Sequence, residues 1–222
     1  MNNISRRQML KIVTLGLGSL AVTGCEPTSS TTIMMSDVSP RRYRPSSGSG
    51  TSGYRNPYLA PAHLDDINRW EGIIIHHSAT TAGDATTFDA MHRNANGWDS
   101  LGYHFVINNG NSDHGLADGE IEIGIRWKQQ KHGAHCRVDI NDDNYWNEHT
   151  IGICLVGNFE NQNPTPAQYQ SLAKLVAVLR RHYNIDPSRI IGHKDAPGAK
   201  TLCPGRNFSW YSFNQAMRNQ YL

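Results

Sequence analysis

The sequence predicts an α/β fold: a central mixed β-sheet flanked by helices, in a domain spanning residues 62–222. Short β-branched apolar runs alternate along the chain with stretches of helical spacing, and the two kinds of element interleave around hairpins. At 222 residues the chain is long enough for one well-packed domain with appendages and too short for two full-sized ones.

The elements follow in order. Ile73-Ile74-Ile75 after Glu71-Gly72 is a buried strand, because a continuous apolar run suits a strand covered on both faces. Thr86 to Asn94 has helical spacing, with Phe88, Met91 and His92 on one side, and stops at Asn96-Gly97. Tyr103 to Ile107 is a second strand, with Asn108-Asn109-Gly110-Asn111 as its hairpin turn. Ile151 to Val156 is a third, bounded by Gly157. Thr165-Pro166-Ala167-Gln168 opens a long amphipathic helix through Tyr183: Thr165 is the N-cap, Pro166 the first helical residue and Gln168 the third. Arg189 to Gly192 is a short strand, and Ser209 to Tyr221 a closing helix.

The amino terminus reads as an address. Arg6-Arg7 precede the apolar, glycine-spaced stretch Ile12–Val22, which is too short for a permanent bilayer-spanning helix and has the order of a signal peptide. The paired arginines resemble a twin-arginine export signal. Val22-Thr23-Gly24-Cys25 resembles the lipobox of bacterial lipoproteins, which implies lipidation of Cys25 as the first mature residue of a membrane-anchored protein. Glu26 in the next position leans towards the outer membrane, and the expected location is the periplasmic face of that membrane. Residues 26–61, rich in Ser, Thr, Pro and Gly, lack the apolar surface to offset chain entropy and read as a flexible tether. At about 5–6 Å × √n it reaches roughly 30–35 Å.

Formal net charge is +2 with scattered Lys and Arg, which argues against a nucleic-acid partner. We expect a monomer. The four cysteines do not require two bridges, although an exported chain makes disulfides the default.

Three residues have the setting of metal ligands. His76 ends the first strand, His193 ends the Arg189 strand, and Cys203 lies in Thr201-Leu202-Cys203-Pro204-Gly205. Zinc takes imidazole nitrogen and thiolate sulfur, and catalytic sites use three protein ligands. Spacing alone leaves His77 open as an alternative to His76.

Six ordered blocks sharpen this: IIIHHSAT (73–80), MHRNANGWDSLGYHFVI (91–107), GAH (133–135), TIGICLVGNF (150–159), TPAQ (165–168) and GHKDAPGAKTLCPG (192–205). Together they resemble the type-two N-acetylmuramoyl-L-alanine amidases, a family that includes phage lysozyme-like amidases and animal peptidoglycan recognition proteins. The resemblance implies a zinc enzyme that hydrolyses the amide between N-acetylmuramic acid and L-alanine in peptidoglycan or muropeptides. It implies His76, His193 and Cys203 as ligands and Tyr103 as donor to the oxyanion. Family members carry a Lys or a Thr two residues before the last ligand. Thr201 holds that position here and Lys200 the one before it, so both are candidates. His92, Trp98 and His135 match positions lining the substrate groove, with a structural hydrogen bond as the alternative role of His135. Where some members have a glutamate base, this chain has Cys154, read as a small buried residue. His104 is read as structural, since side chains alternate along a strand. The segment 136–149 is a longer insertion than usual, either a groove wall or a variable loop. The competing reading is a non-catalytic peptidoglycan-binding module of the same fold. Several recognition proteins have lost a ligand, commonly the cysteine, whereas all three ligands and Tyr103 are present here.

Overall fold

The computed structural model describes residues 56, 58–59, 69–137 and 144–220. The proposed export signal and Cys25, nearly all of the tether, residues 62–68 and the middle of the 136–149 insertion lie outside them. Among the described residues five strands and five α-helices follow in chain order: β1 (Gly72–His77), α1 (Ala85–Asn96), β2 (Phe105–Asn109), β3 (Asp118–Ile123), α2 (Ile125–Lys128), α3 (Tyr145–His149), β4 (Thr150–Leu155), α4 (Pro166–Tyr183), β5 (Ile190–Gly192) and α5 (Trp210–Arg218). The sheet order is β3-β2-β4-β1-β5. β1 runs parallel to β4 and β5, β2 parallel to β4, and only the β2–β3 pair is antiparallel. The sheet is mixed, as the sequence predicts. No helix among the described residues is long and apolar enough to cross a membrane.

The central position of β1 explains its composition. With a strand on either side and both faces covered, Ile73, Ile74 and Ile75 are all fully buried. Ile73 and Ile75 join Ile151, Ile153 and Leu155 of β4 in the main core, which α4 closes with Leu172, Leu175, Val176 and Leu179. Each such side chain contributes about 1.5–3 kcal/mol by burial. Ile74 belongs to a separate cluster, and Val106 and Cys154 to another with Phe88 and Leu101. The core set and these others alternate along the strands, as a period of two requires.

The helix ends form as their residues dictate. Asp84 caps α1 by accepting from Thr87 N at 2.8 Å, and Gly97 closes it at φ 69°. Met91 is 44% exposed, so only part of the expected apolar side of α1 is buried. In α4 the reciprocal box forms: Thr165 Oγ1 accepts from Gln168 N at 3.0 Å, and Gln168 Oε1 accepts from Thr165 N at 3.1 Å. Gln168 Nε2 also donates to the carbonyls of Ile107 and Val156, binding α4 to the ends of β2 and β4.

Three boundaries differ from the sequence reading. Asn108 and Asn109 belong to β2 rather than to its turn, and the connection to β3 runs from Gly110 to Ala117. This longer loop is tied to the start of α1: Asn109 and Asn111 donate to Thr81 O, while Ser112 and His114 bond to Asp84. The second strand begins at Phe105, two residues later than expected. The closing helix ends at Arg218, with Ser209 as its N-cap.

Candidate metal centre

Parallel neighbours β1 and β5 carry Ile75 opposite Gly192, so the next residues, His76 and His193, emerge side by side at the carboxyl ends of the two strands. Ligands in open α/β sheets gather at such ends. Their ring centroids lie 4.7 Å apart. Alternation separates His76 from His77. His77 turns towards Phe159, whose N–H donates to its Nδ1 at 3.1 Å, so His77 serves the other face.

Cys203 arrives from the loop after β5. Lys194 N donates to its carbonyl at 2.7 Å, and its own N–H donates to Thr201 Oγ1 at 3.1 Å. The turn fits closely over the strands: a Cβ at Gly192 would lie 2.7 Å from Pro204 Cδ. Gly205, at φ 99°, adopts a backbone conformation that side chains rarely tolerate, and a Cβ there would lie 2.6 Å from the backbone of Phe159. Cys203 Sγ consequently lies 3.6 Å from His76 Nδ1 and accepts from His77 N at 3.3 Å.

One donor atom from each of His76, His193 and Cys203 lies within 4.8 Å of the other two. The set fits zinc. With Zn–N of about 2.0–2.1 Å and Zn–S of about 2.3 Å, tetrahedral geometry puts nitrogen and sulfur about 3.6 Å apart, the separation found here. Protonation agrees on the histidines. Burial lowers His76 well below the usual imidazole range, helped by neighbouring histidines, and lowers His193 to about 4, so both are neutral ligands at neutral pH. Burial raises the Cys203 thiol to about 12. A thiolate there needs a cation beside it, and metal binding would release its proton.

Around the cluster, aromatic rings form a chain. Tyr103 lies 5.2 Å from His76 between ring centroids and 5.5 Å from His92, which lies 4.8 Å from Trp98. All three are partly exposed. Burial raises the pKa of Tyr103 well above the usual phenol value, and nearby thiols add to this, so its hydroxyl remains a donor. His92 Nδ1 accepts from Gly102 N at 3.1 Å. Lys200 is exposed and Thr201 half-buried beside Cys203. Cys154 is fully buried opposite His76 in the β1–β4 register. Cys136, Cys154 and Cys203 are all free thiols. His104 is also fully buried; its Nδ1 accepts from Gly152 N and its Nε2 faces Lys131 O.

His135 stands apart from the other expected groove residues. It is only 7% exposed, with Nδ1 at 3.1 Å from His76 Nε2 and Nε2 at 3.2 Å from Thr150 O. It sits behind a candidate ligand rather than in an open groove. Sequence reasoning passed over the two glycines that admit its ring. A Cβ on Gly152 would lie 2.5 Å from His135 Cγ, and one on Gly133 would lie 2.7 Å from its Nε2. A lone glycine inside the apolar strand Ile-Gly-Ile-Cys-Leu was the available signal, since such a residue marks a close approach.

A mixed α/β sheet thus carries a candidate metal site, with two histidines at its parallel strand ends and a cysteine from the loop that follows. The profile of the N-acetylmuramoyl-L-alanine amidase family matches residues 66–206, and the chain belongs to that family. It is 29% identical over 153 residues to an endolysin of Enterobacteria phage T3, covering 65% of this chain and 87% of the endolysin. It is 29% identical over 143 residues to peptidoglycan-recognition protein SC2 of Drosophila melanogaster, covering 60% and 67% of the two chains. Among solved structures it resembles the N-acetylmuramoyl-L-alanine amidase LysC from Clostridium intestinale, with a TM-score of 0.54 and 28% identity over 68% of this chain and 88% of that one.

Proposed function

We propose that this protein is a zinc-dependent N-acetylmuramoyl-L-alanine amidase that hydrolyses the amide between N-acetylmuramic acid and L-alanine. The observation that carries the reading is the cluster of buried His76 and Cys203 with half-buried His193, whose 3.6 Å sulfur–nitrogen separation suits tetrahedral zinc. Bound there, zinc supplies Lewis acidity and lowers the pKa of water towards about 7.

The residues of the chain supply the rest. The amide C–N bond breaks, the acyl carbon gains a water oxygen, and the leaving amine of L-alanine takes a proton. Tyr103 keeps its hydroxyl hydrogen and donates it to the developing oxyanion. Thr201, whose oxygen accepts from Cys203 N, has its own hydroxyl hydrogen to donate as a second helper, and Lys200 is the alternative. His92 and Trp98 extend the aromatic wall from Tyr103 and position the muramyl-peptide. The chain acts outside the cytoplasm as a monomer, anchored through Cys25 to the periplasmic face of the outer membrane, with residues 26–61 as its tether.

The similarity to a peptidoglycan-recognition protein keeps a second reading in play, a module that binds muropeptides without cutting them. One experiment decides between them: zinc content and amide hydrolysis on purified sacculi, for wild type and Cys203→Ala. We expect one zinc per chain and turnover in the wild type, with both lost in the variant. Full zinc and turnover in Cys203→Ala would overturn the ligand assignment. Wild-type binding to sacculi without release of stem peptides would favour the recognition module.

A further inference from the structure

We propose that His135 is a positioning residue that selects, through a hydrogen-bond relay starting at a backbone carbonyl, which nitrogen of His76 faces the metal. The proposal rests on the zinc reading above but concerns a residue outside the ligand set.

The relay follows from donor and acceptor chemistry. Thr150 O can only accept, so His135 Nε2, 3.2 Å away, carries the hydrogen. A neutral imidazole has one N–H, which leaves His135 Nδ1 as an acceptor. That nitrogen lies 3.1 Å from His76 Nε2, which must therefore donate. The hydrogen of His76 is thus fixed on Nε2, and the bare lone pair sits on Nδ1, the atom 3.6 Å from Cys203 Sγ. The carbonyl of a central strand sets the tautomer of a ligand through the intervening ring. Such partners hold a ligand's orientation and raise its basicity.

The surroundings support a built-in role. Both ring nitrogens of His135 are engaged and the ring is buried, so it is poorly disposed to contact substrate. Gly152 and Gly133 hollow out the space for the ring. Asn147 Oδ1 accepts from the backbone N–H groups of His135 and Cys136, at 2.8 and 2.9 Å, and fixes the segment that carries it.

The test uses the full chain, stripped of metal and reloaded with zinc. Long-range proton–nitrogen correlation spectra of the wild type report which nitrogen of each histidine carries hydrogen. We expect Nε2–H on both His135 and His76 with and without zinc, and zinc on Nδ1 of His76. Zinc on His76 Nε2, or a His135 with its hydrogen on Nδ1, would overturn the relay. Zinc affinity, measured by competition with a chromophoric chelator, adds the variants. His135→Leu fills the space but cannot accept, and should weaken binding about 10–100-fold. His135→Asn places an oxygen near the position of Nδ1 and should retain most of the affinity. If His135 merely packed, the apolar leucine would bind zinc as the wild type does and asparagine would be the worse replacement, and that order refutes the proposal. Should the wild type take no zinc, the amidase reading fails separately, and the tautomers of the metal-free protein still decide the relay.

Discussion

Gly152→Ala puts the packing behind the metal centre to a quantitative test. The new Cβ would stand 2.5 Å from His135 Cγ and 2.8 Å from its Nε2, far inside the roughly 3.5–4.0 Å of a favourable carbon contact. Either the imidazole or the strand must shift by about an ångström. Overpacking a filled core site costs roughly 1–3 kcal/mol. For a chain of this size that lowers the melting temperature by about 2–12 °C, at 2–4 °C per kcal/mol. With the ring deleted by His135→Ala, the three atoms nearest to the new Cβ are gone. Gly152→Ala should then stabilise by roughly 0.5–1 kcal/mol, the usual gain of alanine over glycine inside a strand. Adding the two effects, the double-mutant cycle should show a coupling of roughly 1.5–4 kcal/mol. The assay is thermal or urea unfolding of the metal-free proteins, so that zinc linkage does not enter. Additive single-mutant effects would refute the idea that His135 is what Gly152 accommodates.

Other outcomes are expected. Tyr103→Phe keeps the ring, and so should keep fold and zinc content while turnover on peptidoglycan falls about 10²–10³-fold with little change in KM, as for loss of an oxyanion donor; unchanged turnover would reduce Tyr103 to a packing role. Gln168→Ala strands the carbonyls of Ile107 and Val156 and opens the capping box of α4, and should cost roughly 1–3 kcal/mol in urea unfolding. The clasp between the β2–β3 loop and α1 should respond to pH. The hydrogen bond and charge of Asp84 raise the His114 pKa, so its stabilisation is fully present below the unfolded value of about 6.5 and is lost as pH rises through the folded one. Burial pushes the Asp84 carboxyl up, but hydrogen bonds from Ser112, His114 and Thr87 outweigh this and hold it low, so its contribution disappears only in strong acid. Stability measured between pH 6 and 9 should therefore decline for wild type and lose part of that slope in His114→Gln; identical slopes would show the clasp to be idle.

The sequence exposed those features that local chemistry dictates. The Ile73–Ile75 run marks a strand covered on both faces, and Thr165-Pro166-Ala167-Gln168 spells out the start of α4 residue by residue. β3 is hard to see in the sequence because an edge strand reading Asp-Gly-Glu-Ile-Glu-Ile needs little hydrophobicity, and because the loop before it owes its length to contacts with α1, distant in sequence. α2 and α3, of four and five residues, carry too little periodicity to register. At the site, alternation shows that His76 and His77 face opposite ways, but which face holds Cys203 is a fact of topology. The burial of His135 is likewise non-local: its partners lie 59 and 15 residues away along the chain.

The strand order carries a consequence for timing. β1 is formed early in the chain, yet its two neighbours come from residues 150–155 and 190–192, and its cysteine partner lies 127 residues downstream. During synthesis this isoleucine-rich strand must wait, unpaired, for most of the domain to emerge. Pairing at such separations is slow, and a waiting edge of this composition is prone to association with other chains. The metal cluster can be completed only once Cys203 has emerged, so a nascent chain interrupted before it has all five described strands and no complete site.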